Sequence, residues 1–489
     1  MSHLDVPHFP RGFVLSERPI EAPPTFVPGP ILSNFYVHPW THIETAGDAG
    51  LFVIILGHCV PTRTELPADT ATHLLAQLQA GEGRFLQELA DYGGRHAIIF
   101  GSKGNIRVVN DATAMRSVFY AAAGGVVASN AQLVEQALGG VTEDDGMPFR
   151  YGYPGNRTPY ARTRVLTANT YYWMTANVIR RFWPIMSPAP RTVEEAAEEL
   201  LDASANALKA MARGKSVALT LTAGLDSRSI LAIALHAGVP VDTYTYGDNH
   251  STKVDRLMGG DLANMFGLEH TVISERIEDP VLKRRLGEAV YSSHHGRWVG
   301  ALRKHFIGKY DVAVLGNALE IGRSNYTPQR NRGAAAPVTA DSMAGLHHMK
   351  VGKEVDRLID EFGADTFHKA SRDAFQAFID DTGVDVVAGM LDPFDQFYWE
   401  HRMATWQGVA MSERDFYAEP FIPYNSRRVF EAMLGAPFAS RRADEAALRM
   451  VEMVDPRLLE FPINPKTWSR PKAVQLGLRA SSSEHTSGA

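Results

Sequence analysis

One cysteine, Cys59, is all that the 489 residues contain, and this scarcity excludes an internal disulfide, a CxxC redox pair and any thiolate-rich zinc site. Long apolar runs are missing as well. No stretch reaches the roughly 18 residues that cross a bilayer, and the polar start Met1-Ser2-His3-Leu4-Asp5 lacks a signal-peptide pattern. A cytoplasmic protein without a membrane partner is the expectation. Charge of one sign is not in excess: a net charge of -6 with both signs scattered offers no basic face for counterion release, so nucleic acid is not an expected partner. Of 18 histidines, only His38 and His42 show H-x-x-x-H spacing, and Pro39 opposes the helix that would aim both at one metal.

What is present is ordinary globular material, 45% hydrophobic and 21% charged, in a chain longer than one core sustains, so two domains are expected. The apolar run 50–57 reads as a buried strand closed by glycine, 69–78 as a helix, and 96–100, 106–110 and 118–122 as short strands bounded by turns. With a hairpin-like pair at 164–175 and 178–183, the front half reads as stacked antiparallel sheets with few helices. A linker, Ser187-Pro188-Ala189-Pro190, then precedes a T-x-x-E capping box at Thr192 and Glu195, which places a boundary near residue 190.

From residue 217 the pattern alternates strand and helix (217–222, 227–236, 241–246, 254–266, 270–274), which predicts a parallel sheet with helices on its faces and a ligand at the carboxyl ends of its strands. Beyond residue 330 helices dominate, at 351–362, 367–381, 394–406 and 427–434. The small, polar segment 481–489 reads as disordered.

The most informative stretch is Leu221-Thr222-Ala223-Gly224-Leu225-Asp226-Ser227-Arg228, where a β-branched strand turns into a helix. Small residues there let consecutive N–H groups form an anion nest at the positive end of a helix dipole. Asp226 would repel bare phosphates but would serve as a Mg²⁺ ligand holding phosphate oxygens. A plain turn with Asp226 as helix cap fits the same residues.

This loop resembles the S-G-G-x-D-S pyrophosphate loop of the ATP pyrophosphatases, and its surroundings resemble the asparagine synthetase family. Thr222 replaces Ser and Ala223 replaces the first Gly, which removes no backbone donor. Tyr246 and Gly247 stand where that family's adenine pocket begins, and Asp255, Leu262, Ala263, Gly267 and His270 continue its texture. Leu315-Gly316-Asn317-Ala318-Leu319-Glu320 resembles the family's S-G-E-G-A-D segment, which puts Glu320 on a second Mg²⁺-binding position, although Asn317 departs from the family's Glu or Tyr and the second glycine is absent. An ion pair between Glu320 and Arg323 is the alternative reading of that carboxylate. The stretch 422–431 resembles the V-P-F-L-D-x-R-L-V-E segment with Ser426 in the acidic place. Arg470-Pro471-Lys472 resembles the R-x-K loop, whose lysine neutralises the α-phosphate, so Lys472 is the implied catalytic cation. Relatives place an acidic, substrate-facing residue in the helix around 394–402; Glu400 is the first candidate and Asp395 the second.

The front half resembles the family's glutaminase domain through Gly94-Arg95-His96-Ala97-Ile98, the turn from Asn110-Asp111 to Phe119-Tyr120, and the run from Ser129 to Leu138. That domain uses an amino-terminal cysteine thiolate, whereas this chain begins Met1-Ser2 and Cys59 lies far inside. Glutamine is therefore not the expected nitrogen donor.

The resemblance implies an α/β protein: an Ntn-hydrolase-like β-sandwich domain (1–190), an adenine nucleotide α-hydrolase-like parallel-sheet synthetase domain with added helices (191–475), and a disordered tail (476–489). It implies an ATP- and Mg²⁺-dependent ligase that adenylates a small-molecule or peptide carboxylate and passes it to an amine or ammonia; a homodimer is compatible with it. Relatives that use a substrate's own amine close β-lactam rings or form the macrolactam of lasso peptides. A catalytically silent nucleotide-binding or scaffold protein is the rival reading, favoured by Ala223 and Asn317. A sulfur-inserting enzyme of nucleic acid would need cysteines and basic surfaces that are absent.

Overall fold

The computed structural model describes residues 6–144, 146–149, 152–323, 326 and 337–468. Its front part carries β1 (Phe13–Ser16), β2 (Val27–Pro28), β3 (Phe35–Val37), β4 (Ile43–Gly47), β5 (Phe52–Pro61) and β6 (Tyr92–Ser102). Six more follow: β7 (Asn105–Asn110), β8 (Phe119–Ala121), β9 (Val126–Ala128), β10 (Thr163–Val165), β11 (Thr170–Trp173) and β12 (Val178–Arg181). They form two antiparallel sheets, ordered β10-β8-β9-β1-β3-β2 and β12-β11-β7-β6-β5-β4.

Side-chain alternation explains how the sheets stack. Phe52, Ile54 and Leu56 of β5 join Phe13, Leu15, Tyr120 and Val127 in the core between the sheets. Val53, Ile55 and Cys59 point the other way, under the helices Thr70–Ala80 and Glu82–Glu88. The expected strand at 164–175 is two strands: β10 pairs with β8 in one sheet and β11 with β7 in the other, so the chain crosses between sheets there.

The back part opens with the helix Val193–Met211, whose Thr192 and Glu195 form the expected reciprocal capping box. Five parallel strands follow, β13 (Val217–Thr220), β14 (Asp242–Tyr246), β15 (His270–Ile273), β16 (Val312–Val314) and β17 (Glu419–Phe421), in the order β15-β14-β13-β16-β17. β17 has no counterpart in the sequence-based reading, because three residues with a central proline carry too little strand pattern. The predicted helix over 394–406 is a short α-helix, Pro393–Gln396, continued by a π-helical segment, Phe397–Gly408. No helix among the described residues is long and apolar enough to cross a membrane.

Polar contacts lock the two parts together. Arg95 of β6 donates two bonds to Asp415, at 2.7 and 2.9 Å. Asn425 donates to Asp111 at 2.9 Å and to the Gly94 carbonyl at 2.7 Å. Trp399 of the π-helical segment donates to the Ala112 carbonyl at 2.6 Å.

Candidate active site

Strand order locates the crevice. The chain runs outward from β13 through β14 to β15, then returns across β13 to lay down β16 on its other side. The connections leaving β13 and β16 therefore diverge to opposite sides and open a cleft at the carboxyl ends of those two strands, the place where open α/β sheets bind ligands. Loops 221–227 and 315–320 both leave the sheet there.

Loop 221–227 alternates in burial: Leu221, Ala223 and Leu225 are buried, while Thr222, Gly224 and Asp226 reach the cleft. Ser227 is buried, and its hydroxyl accepts from the Thr222 amide at 3.0 Å, which tightens the turn. Asp255 accepts from the Ala223 amide at 3.1 Å. The helix Leu225–Ala237 starts at Gly224 with no side-chain cap, so its first-turn N–H groups are left for a ligand. Gly259 lets the next helix touch the strand end, since a Cβ there would lie 2.4 Å from the Leu221 carbonyl oxygen.

The two loops touch at one point. A Cβ on Gly316 would stand 2.8 Å from the Asp226 carbonyl oxygen, so glycine at 316 is what lets the two strand ends approach. Ala318 adopts a left-handed conformation (φ 73°) in the turn that leads to Glu320. Burial and the neighbouring Asp226 push the Glu320 carboxyl up to about 7. Burial also raises Asp226, with Arg323 acting against it. Glu320 Oε2 is sealed from solvent and has no hydrogen-bond partner among the described residues. Arg323 does not make the anticipated pair with Glu320; it donates to Asp226 at 2.6 Å and to both oxygens of Asp444 at 2.6 and 2.8 Å.

Aromatic residues line the surroundings. Tyr246 ends β14 with its ring 5.6 Å from His295 and 5.9 Å from Trp298, and Gly247 follows at φ 146°. Burial raises the hydroxyls of Tyr398 and Tyr424, and Glu320 and Asp226 add to both shifts. Sequence reasoning named Arg323 only as a partner for Glu320 and missed Asp444, Tyr398 and Tyr424. Tyr398 and Tyr424 lay within quoted stretches, whereas nothing in the sequence marks Asp444.

Glu400 requires a correction. It is not substrate-facing: Arg181 donates to its two oxygens at 2.7 Å each and Asn169 donates at 3.1 Å, with the side chain 1% exposed. Sealed from solvent and held on both oxygens by Arg181, this carboxylate is turned away from any substrate amine. Asp395 is likewise buried and paired to Arg441 at 2.8 Å. Lys472 lies outside the described residues, although the chain approaching it returns to the loop. Asn464 donates its amide to the Ala223 carbonyl at 3.1 Å, and Arg228 donates to the carbonyls of Leu458 and Pro462 at 3.0 and 2.7 Å.

No family model matches the sequence, and no curated protein matches it. Among solved structures, the chain is similar to a glutamine-dependent NAD+ synthetase from Acinetobacter baumannii in complex with ADP (18% identity, TM-score 0.15), over 24% of this chain and 22% of that one. It is also similar to the glutamine phosphoribosylpyrophosphate amidotransferase of B. subtilis complexed with ADP and GMP (14% identity, TM-score 0.20), over 62% of this chain and 65% of that one. The chain thus spans less than two thirds of either structure, and likeness at these scores carries no argument about activity. The site defines the class only coarsely, as a mixed α/β protein with antiparallel sheets, a parallel sheet and a carboxylate-bearing crevice at a switch point.

Proposed function

We propose that the chain is an ATP-dependent carbon–nitrogen ligase that adenylates a carboxylate and transfers the acyl group to an amine or ammonia. The observation that carries this reading is the meeting of Asp226 and Glu320 at the mouth of the helix Leu225–Ala237, whose first turn has no side-chain cap.

A divalent cation fits the pair. Burial holds the protons of both carboxylates more tightly, and Glu320 Oε2 is buried with no hydrogen-bond partner among the described residues, so the pair forms a donor set that a cation would suit. No group of three or more His, Cys, Asp or Glu placed to hold a metal occurs among the described residues. Mg²⁺ commonly takes one or two carboxylates and completes its shell with phosphate and water. Asp226 and Glu320 would hold it, and bound there it would neutralise charge on the phosphates.

The chain's own groups supply the rest. First-turn N–H groups of the helix Leu225–Ala237 bind the phosphate that leaves, and Tyr246 with Gly247 borders the base. The acceptor carboxylate attacks the α-phosphorus, pyrophosphate departs, and the amine then attacks the activated carbonyl and releases AMP. Lys472 is assigned to the charge that develops at phosphorus, by its place in the R-x-K motif alone. Closure of a lactam or macrolactam within one substrate is the version that dispenses with free ammonia.

The test is pyrophosphate release from ATP and Mg²⁺ across a panel of amino acids, β-amino acids and peptides, with Asp226→Ala in parallel. Release by the wild type alone, triggered by one acid, supports the ligase. ATP binding without turnover across the panel would support the silent nucleotide-binding reading, which the contact between Arg323 and Asp226 favours because a fixed cation already sits on the metal-side carboxylate.

A further inference from the structure

A second cavity, of about 470 Å³, lies at the seam between the sandwich and the parallel sheet. It sits at the amino-terminal ends of β13, β16 and β17, with Lys215, Asp311 and Glu419 among its lining. The crevice described above is at the other end of β13, so about 20 Å of extended chain separates Lys215 from Thr222. The volume falls in the range that holds small organic ligands.

Its charges are unevenly matched. Arg11 is occupied, donating to Glu419 at 2.9 Å and to the Asp415 carbonyl at 2.7 Å. Lys215 is not matched in this way. Its ammonium donates to His58 Nε2 at 3.4 Å and approaches the Met211 sulfur at 3.6 Å, and no carboxylate lies within ion-pair distance among the described residues. His58 supplies no negative charge in either protonation state, and burial and Lys215 press its imidazole down to about 2 and keep it neutral. Burial also lowers the Lys215 ammonium, while Glu419, Asp311 and Glu44 act against that shift from beyond ion-pair distance, so an anion in direct contact would relieve what remains.

The wall beside that cation is aromatic. Trp40 leaves 40% of its surface exposed at the rim, with the Arg11 guanidinium 5.6 Å from its ring centroid. Tyr310 also lines the cavity, but its hydroxyl is donated to Asp242 at 2.5 Å and its ring carries the Lys309 ammonium at 4.7 Å, so Trp40 supplies the aromatic face. A partly buried cation that no described carboxylate contacts, next to a half-exposed indole, suits a ligand that combines one negative charge with a flat apolar body.

We propose that this interdomain cavity is a binding site for a small aromatic carboxylate, with Lys215 as its counter-ion and Trp40 as its stacking wall. The proposal is independent of the ligase reading. The site joins elements of both domains, so its occupant would tie the sandwich to the amino ends of the parallel strands.

The experiment titrates benzoate, its neutral isostere benzamide, and acetate into the full chain, following tryptophan fluorescence and the thermal midpoint. Benzoate is expected to quench fluorescence and raise the midpoint, with an affinity at least tenfold above benzamide and above acetate. Lys215→Met should remove the preference for benzoate over benzamide, Trp40→Ala should weaken benzoate at an exposed position that does not endanger folding, and Asp226→Ala should leave binding unchanged. Equal binding of benzoate and benzamide, retention of full benzoate affinity by both seam variants, or loss of it in Asp226→Ala would each overturn the assignment. So would the absence of any response by the wild type.

Discussion

Arg323 and Asp226 are joined at 2.6 Å across the crevice, and the same guanidinium closes on both oxygens of Asp444, so one side chain ties the candidate phosphate loop to the cap of the helix Glu445–Val454. A guanidinium is a single fixed charge. It is shared between Asp226 and Asp444, while Glu320 Oε2 has no hydrogen-bond partner among the described residues, and that division of labour makes the site's dependence on a second cation measurable.

Replacing Arg323 by Met should expose that dependence. The apo protein is expected to lose about 1 to 3 kcal/mol, less than for a fully buried pair because the Asp226 side chain is 35% exposed. Millimolar Mg²⁺ should recover part of the loss, read from urea denaturation with and without the ion. Equal stability under all four conditions would remove the argument for a shared cation.

Glu320→Gln keeps the shape and removes the charge. Pyrophosphate release should fall by on the order of 100-fold, the scale of losing one preorganised electrostatic contact. ATP binding measured without the divalent cation should hardly change. An unaffected rate would take Glu320 out of the reaction.

The same substitution carries a pH signature. Glu320 binds its proton more tightly in the folded chain, near 7 against an ordinary 4.5, so its contribution to stability is complete below about 4.5 and is lost as pH rises toward 7. Wild type should therefore lose stability relative to Glu320→Gln between pH 4.5 and 7. Glu431, which burial also raises to about 7, acts alike in both proteins and cancels. Parallel stability curves over that interval would contradict the assignment.

Gly316→Ala tests the contact between the two strand ends. Its Cβ would meet the Asp226 backbone at 2.8 Å, with no flexible side chain to yield. The expected result is a folded protein whose nucleotide affinity drops about tenfold, the factor that 1.4 kcal/mol of misplacement produces. Unchanged nucleotide binding would mean that the loops need not touch.

Glu400→Ala should behave as a structural change. It would leave the part-buried Arg181 without its carboxylate partner, held only by the Thr382 and Trp183 carbonyls, at a cost of about 3 kcal/mol. Nucleotide affinity measured at low temperature should stay at the wild-type value. A change in acceptor KM at full stability would restore Glu400 to the site.

Legibility followed locality. The capping box at Thr192 and Glu195 was readable because all its contacts lie within four residues. The sandwich strands were readable where alternation ran long, as in β5 and β6, and less so in the stretch holding β10 and β11, where a crossing between sheets leaves no mark in the pattern. The π-helical course of 397–408 escaped because its composition is that of an ordinary amphipathic helix.

The sequence by itself determined the loop 221–227, the acid at 320 and the alternation that makes a parallel sheet, because small residues, charge and hydrophobic period are local properties of the chain. Only the tertiary structure decided which acids face the crevice. Asp226 and Glu320 meet because β13 and β16 are neighbours at a switch of strand order, and Glu400, equally acidic on paper, is claimed by Arg181 from more than two hundred residues away. Partner choice among charges depends on distances that no window of sequence contains.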